Sequence, residues 1–196
     1  MMRLEEKLPD TVEYKGLFYK LTPSFDNVLK LLSIEEDNNL DSDEKLELML
    51  HFLLGEENYP VEHGLLLEIF RVLFPSHKEG GTAKIYDFNQ DAQYIYAAFK
   101  QAYGIDLFEE QGRLHWLQFI ALLQGIPDDT KFAQILQIRS TPLPKPTRHN
   151  AEYRLRLLRL KNIYRLKISE EERQRDLQSG LRKMATALLK MAQQGG

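Results

Sequence analysis

The 196-residue chain contains no cysteine, so it can form no disulfide and offers no thiolate to a metal or a catalytic cycle, an absence compatible with a reducing compartment. Long apolar runs are missing as well: the stretch Phe119-Ile120-Ala121-Leu122-Leu123 covers only five positions, against about 20 needed to cross a bilayer. The opening Met1-Met2-Arg3-Leu4-Glu5-Glu6-Lys7 turns acidic at once and lacks the apolar centre of a secretory signal. There is no Asn-x-Ser/Thr acceptor and no tandem repeat. A net charge of −3, from 26 Lys+Arg and 29 Asp+Glu, gives no overall argument for nucleic acid, a membrane surface or a highly acidic partner. One ordinary soluble, cytoplasmic domain with a short appendage is expected.

What the chain does have is apolar residues, 43% of the total, arranged mostly at helical spacing. The exception is Val12-Glu13-Tyr14-Lys15-Gly16-Leu17-Phe18-Tyr19-Lys20-Leu21, whose alternation around Lys15-Gly16 predicts a β-hairpin. Thr22 followed by Pro23 predicts a helix start, with Phe25, Val28, Leu29, Leu31 and Leu32 on one face to about Ile34. Asp41-Ser42-Asp43-Glu44 caps a second helix ending at Gly55, and a third runs from Val61 to about Phe74. Asn89 opens a fourth, which closes at Tyr103-Gly104. Leu114 to Gln124 forms a fifth, and Ile126-Pro127-Asp128 starts a sixth containing Phe132, Ile135, Leu136 and Ile138. The pattern is an all-α compact helical bundle of about seven helices with a small N-terminal hairpin and a basic C-terminal helical extension.

The composition changes at residues 139–150, where Pro142, Pro144 and Pro146 stand at every second position and predict an extended linker. From Arg139 to the end there are 14 basic and 5 acidic residues, a net of +9, leaving −12 for residues 1–138. The organisation is an acidic body over 1–140, a Pro-rich linker over 141–149 and a basic helical tail over 150–196. The tail can fold onto its own body, attract the body of another copy, or bind an acidic partner.

Signatures of chemistry are weak. His51, His63, His77, His115 and His149 are scattered without the spacing of metal ligands. Asp128-Asp129 and Glu170-Glu171-Glu172 suit helix starts, where the dipole favours acids. Lys78-Glu79-Gly80-Gly81-Thr82 lacks the spacing of a phosphate-binding loop, and no Gly-x-Ser-x-Gly elbow exists. Trp116 sits among Leu114, Leu117, Phe119 and Ile120 and is expected in the core. No catalytic, cofactor-binding or metal residues are therefore expected, and no cofactor.

The informative element is the basic helix, about Asn150 to Lys167. At 100° per residue Tyr153, Leu157, Leu160 and Tyr164 form one apolar stripe, and Leu155, Leu158 and Leu166 a second on nearly the opposite side. Arg154, Lys161 and Arg165 fill one flank between them; Arg156, Arg159 and Lys167 fill the other, with Ile163. Docking on one body needs a single stripe, so the second is expected to meet another chain, unless both are sandwiched within one fold. The interrupting Leu and Ile positions disfavour a continuous phosphate-facing surface and hence nucleic acid. Ser169-Glu170-Glu171-Glu172 reads as a capping box opening a last helix, in which Leu177, Leu181, Met184, Leu188 and Met191 recur at coiled-coil spacing. These two sets of residues are the candidate partner-binding surface.

Several blocks together carry a family resemblance across nearly the whole chain. They are the hairpin-then-helix opening from Val12-Glu13-Tyr14-Lys15-Gly16, Tyr86-Asp87-Phe88-Asn89-Gln90-Asp91-Ala92-Gln93-Tyr94-Ile95-Tyr96-Ala97-Ala98-Phe99, and Tyr103-Gly104-Ile105-Asp106-Leu107. Leu114-His115-Trp116-Leu117-Gln118-Phe119-Ile120-Ala121-Leu122-Leu123-Gln124-Gly125-Ile126-Pro127, Asp128-Asp129-Thr130 and the stretch from Ile135 to Arg139 complete them. In these the chain resembles the bacteriophage gene-product-fifteen family, encoded among the tail genes of siphophages just ahead of the tape-measure gene. The resemblance implies a non-enzymatic tail assembly chaperone in the host bacterial cytoplasm. Its partner would be the tape-measure protein or another tail protein, with self-association around the client. A tail-completion or connector protein retained in the virion is the alternative, and a nucleic-acid-binding regulator a more distant one.

Overall fold

The computed structural model describes residues 4–55, 58–75 and 85–167. In chain order it has a hairpin of β1 (Thr11–Tyr14) and β2 (Leu17–Lys20), then α1 (Phe25–Glu36), α2 (Ser42–Leu54), α3 (His63–Leu73), α4 (Ala92–Tyr103), α5 (Trp116–Gln124), α6 (Lys131–Ser140) and α7 (Ala151–Ile163). This is the helical architecture with one small hairpin that the periodicity predicts. The helix expected from Ser169 and the loop around Gly80-Gly81 lie outside the described residues. The chain divides into two units, residues 1–141 and 142–196.

The hairpin pairs Val12 with Tyr19 and Tyr14 with Leu17, so its loop is the two residues Lys15 and Gly16, both at positive φ (52° and 77°). That geometry matches the right-handed twist of the strands. The hairpin rests against the start of α3: Tyr14 donates its hydroxyl to Glu62 at 2.7 Å, and Gly64 admits the ring, since a Cβ there would meet the Tyr14 hydroxyl at 2.5 Å.

Several helix starts lie later than expected, those of α1 and α5 for a non-local reason. Thr22 does not cap α1; its hydroxyl donates to Phe52 and Leu53 carbonyls at 3.0 and 2.9 Å, satisfying orphan acceptors at the end of α2. Residues 23–25 instead run extended beside 114–116, with Phe25 N–H to Leu114 O at 2.9 Å and Trp116 N–H to Pro23 O at 2.7 Å. That pairing delays both α1 and α5, and α5 is capped by the His115 ring, whose Nδ1 accepts from Leu117 N–H at 3.0 Å. Asn89 is part of a turn held by Asp87 Oδ1, which accepts from the N–H groups of Asn89 and Gln90. Asp91 is the cap position of α4. Pro127 to Thr130 is likewise a turn, and Thr130 Oγ1 caps α6 by accepting from Ala133 N–H at 3.2 Å. The purely local signals match: Asp41 and Glu44 form a reciprocal capping box, and Gly104 ends α4 in the left-handed conformation.

The core of the first unit is aromatic at its centre. Phe119, 1% exposed, stacks on Phe25 at 5.0 Å and Phe99 at 5.1 Å between ring centroids. Trp116 stacks on the same ring at 5.7 Å and meets Phe74 edge-on, so it is a core residue as expected. Val28, Leu31, Leu50, Leu53, Leu65 and Ile69 extend this core through α1, α2 and α3.

Candidate functional site

In the second unit, the approach to α7 is organised by one side chain: Asn150 Oδ1 accepts from Thr147 N–H at 2.8 Å and its Nδ2 donates to Lys145 O at 2.9 Å. The prolines upstream cannot donate, and residues 142–147 have no regular structure. Within α7 the two expected stripes differ. Leu157 is buried and Leu160 and Tyr164 are half-buried. Leu155 and Leu158 are 56% and 45% exposed. Tyr153, assigned by spacing to the first stripe, is exposed, as is Ile163 on the basic flank.

Arg154 and Lys161 lie within α7. The helix ends at Ile163 with Tyr164 as its cap, four residues short of the expected Lys167. Arg165 and Leu166 therefore follow the last turn rather than continuing the basic flank and the second stripe. Leu177, Leu181, Met184, Leu188 and Met191 lie outside the described residues.

Arg139 belongs elsewhere than its count with the basic tail implied. It ends α6 in the first unit and forms a two-pronged ion pair with Asp91, Nη1 to Oδ2 at 2.6 Å and Nη2 to Oδ1 at 2.9 Å. The two side chains are 8% and 1% exposed. Nη1 also donates to Ile85 O at 3.1 Å, and Asp91 Oδ2 accepts from Asp87 N–H. Counted by unit, residues 1–141 carry −11 and residues 142–196 carry +8.

The first unit also has an apolar groove that periodicity does not reveal. It is lined by Phe25 and Leu29 of α1, Ala92, Ile95 and Tyr96 of α4, Phe119 of α5, Phe88, and Leu107, Phe108 and Gln111 of the segment joining α4 to α5, and encloses about 170 Å³. Phe108 is 72% exposed, its ring 5.2 Å from that of Tyr96.

The joining segment is held by two carboxylates. Asp106 accepts from Lys100 Nζ at 3.1 Å, Tyr96 hydroxyl at 3.0 Å and Phe108 N–H at 3.1 Å. The Lys100 ammonium, with the Tyr96 hydroxyl, holds the Asp106 carboxyl below its ordinary value. Asp26, at the start of α1, accepts from Gly112 N–H at 2.9 Å. Burial pushes the Asp26 carboxyl up, but the Gly112 N–H and Lys30 outweigh it and hold it below its ordinary value. The signal in the sequence is Asp106 two residues after the helix-ending Gly104, followed by an apolar pair in a segment without helical spacing.

Among the described residues, no three His, Cys, Asp or Glu side chains converge as a metal-binding set, and no helix is long and apolar enough to cross a membrane. No curated protein and no solved structure matches the chain. The family model described as Bacteriophage Gp15 protein matches residues 4–166. That span takes in the first unit, the linker and all of α7, and stops before the segment from Ser169 onward. The chain belongs to the bacteriophage Gp15 protein family.

Proposed function

We propose that this protein is a non-enzymatic assembly factor of the phage tail, a chaperone that binds the tape-measure protein in the host bacterial cytoplasm and keeps it soluble until tail subunits polymerise around it. The observation that supports this reading is the exposed pair Leu155 and Leu158 on α7, with Arg154 and Lys161 on one side and Arg159 on the other. A tape measure is a long helical chain with apolar faces, and an apolar row between cationic flanks suits an amphipathic helix with acidic residues at its margin. Binding alone accomplishes the task, so the reading needs no reaction at any residue.

Two comparisons test it. Leu155→Asp with Leu158→Asp, and separately charge reversal at Arg154, Lys161 and Arg165, lower recovery of the tape measure in co-purification; unchanged recovery counts against α7 as the contact. Purified virions lack the chain if it is a chaperone, whereas a stoichiometric amount in the particle supports the connector reading instead.

A further inference from the structure

Two open surfaces on one chain complement each other. In the first unit the groove between α1 and α4 is floored by Leu29, Ile95 and Leu107, with the Phe108 ring exposed at its lip. Glu109 and Glu110 belong to the same turn, their N–H groups both bonded to Asp106 O at 3.1 Å. Lys30 of α1 pairs with Asp26 and Lys100 of α4 with Asp106. In the second unit Leu155 and Leu158 stand exposed between Arg154 and Arg159. The groove is apolar, and the segment that carries Phe108 continues into Glu109 and Glu110; the helix row is apolar with basic margins. The whole chain is divided in the same sense, −11 in residues 1–141 and +8 in residues 142–196.

We propose that α7 of one copy seats its Leu155 and Leu158 row in the Phe108 groove of a second copy of this chain, with its arginines against Glu109 and Glu110. The surface joins unlike patches, so it is heterologous: exchange of α7 in both directions closes a twofold dimer, and exchange in one direction builds an open series. The row is the one offered to the tape measure in the functional reading above, so self-association and client binding compete. Copies thereby cover each other's adhesive row until a client displaces it, which is how an exposed apolar patch is kept from promiscuous contact. Few apolar side chains meet in each contact compared with the roughly 800 Å² per partner of a standard interface, so association is weak and concentration-dependent.

Sedimentation velocity on the full chain over a wide concentration range reads the proposal. The wild type shifts from monomer to dimer or a larger series as concentration rises. Phe108→Asp, at an exposed position, weakens this by about tenfold or more, as removal of an aromatic anchor does. Glu109→Lys with Glu110→Lys weakens it independently, and Leu155→Asp with Leu158→Asp abolishes it. Trp116 fluorescence confirms that each variant is folded. Mixing the Phe108 variant with the Leu155, Leu158 variant restores one complete contact, so the mixture associates at concentrations where neither variant does alone.

A wild type that stays monomeric at every concentration overturns the proposal, as does association that survives both variants or a mixture that fails to associate. Client binding fails separately: Phe108→Asp leaves α7 intact and still recovers the tape measure. Loss of recovery with the Leu155, Leu158 variant alone therefore speaks to function, and loss of self-association with Phe108→Asp speaks to the groove.

Discussion

Arg139→Ala is the most informative perturbation of stability, because the pair it breaks is almost dry. The Asp91 carboxylate is 1% exposed and receives both prongs of the guanidinium, at 2.6 and 2.9 Å. Truncating Arg139 leaves that charge buried without its counter-ion and withdraws a donor from Ile85 O. Breaking one side of such a pair costs about 3–5 kcal/mol, which for a domain of this size is a fall in Tm of about 10–15 °C. Asp91→Ala with Arg139→Ala together costs less than the sum of the single changes, by about 1–3 kcal/mol, because neither charge is then stranded. Arg139→Lys retains the charge but not the fork and falls between. The exposed Lys15 and Glu62 pair, 62% and 41% exposed, is the control, and its removal changes stability by less than about 1 kcal/mol. Urea melts of the four variants and the double mutant measure all of this. A loss below about 1 kcal/mol for Arg139→Ala, or strict additivity with Asp91→Ala, would refute the reasoning.

Three further outcomes follow from the same structure. Phe119→Ala removes the ring on which Phe25, Phe99 and Trp116 stack, and costs about 3–5 kcal/mol in denaturant melts with a change in Trp116 emission. His115→Ala removes the ring that caps α5 and costs about 1 kcal/mol, whereas a loss near zero would mean that water replaces the cap. For acid stability, the folded Asp26 carboxyl lies below its ordinary 3.8. Its contribution is present above that pH and is lost as pH falls through the lower folded value. Asp26→Asn therefore flattens the decline of stability below about pH 5 in acid titrations followed by circular dichroism; an unchanged slope would show that Asp26 is not a source of the decline.

The elements legible in the sequence are those set by neighbours a few residues apart. Lys15-Gly16 specifies the hairpin register, Asp41 and Glu44 the start of α2, and Gly104 the end of α4. On α7, helical spacing separated Leu157 and Leu160 from the exposed Leu155 and Leu158. It failed at Tyr153, which stands on the first stripe yet is exposed. The late starts of α1 and α5 depend on a distant pairing, Trp116 N–H to Pro23 O, and the cap position Asp91 of α4 is bound by Arg139 across 48 positions. A local cap signal such as Thr22 cannot show that its hydroxyl is taken by the end of another helix. The Phe108 groove escaped for a related reason. Its segment has no period, and its shape comes from Asp106 and from Asp26, which reaches Gly112 across 86 positions.

The proposed chaperone role meets its most direct test in co-expression of the full chain with the tape-measure protein encoded beside it, followed by sizing chromatography with light scattering. The account predicts that the tape measure becomes soluble only in the presence of this chain, and that the two co-elute at a defined ratio which the Leu155→Asp, Leu158→Asp variant abolishes. A tape measure that remains insoluble while this chain elutes by itself would contradict the account.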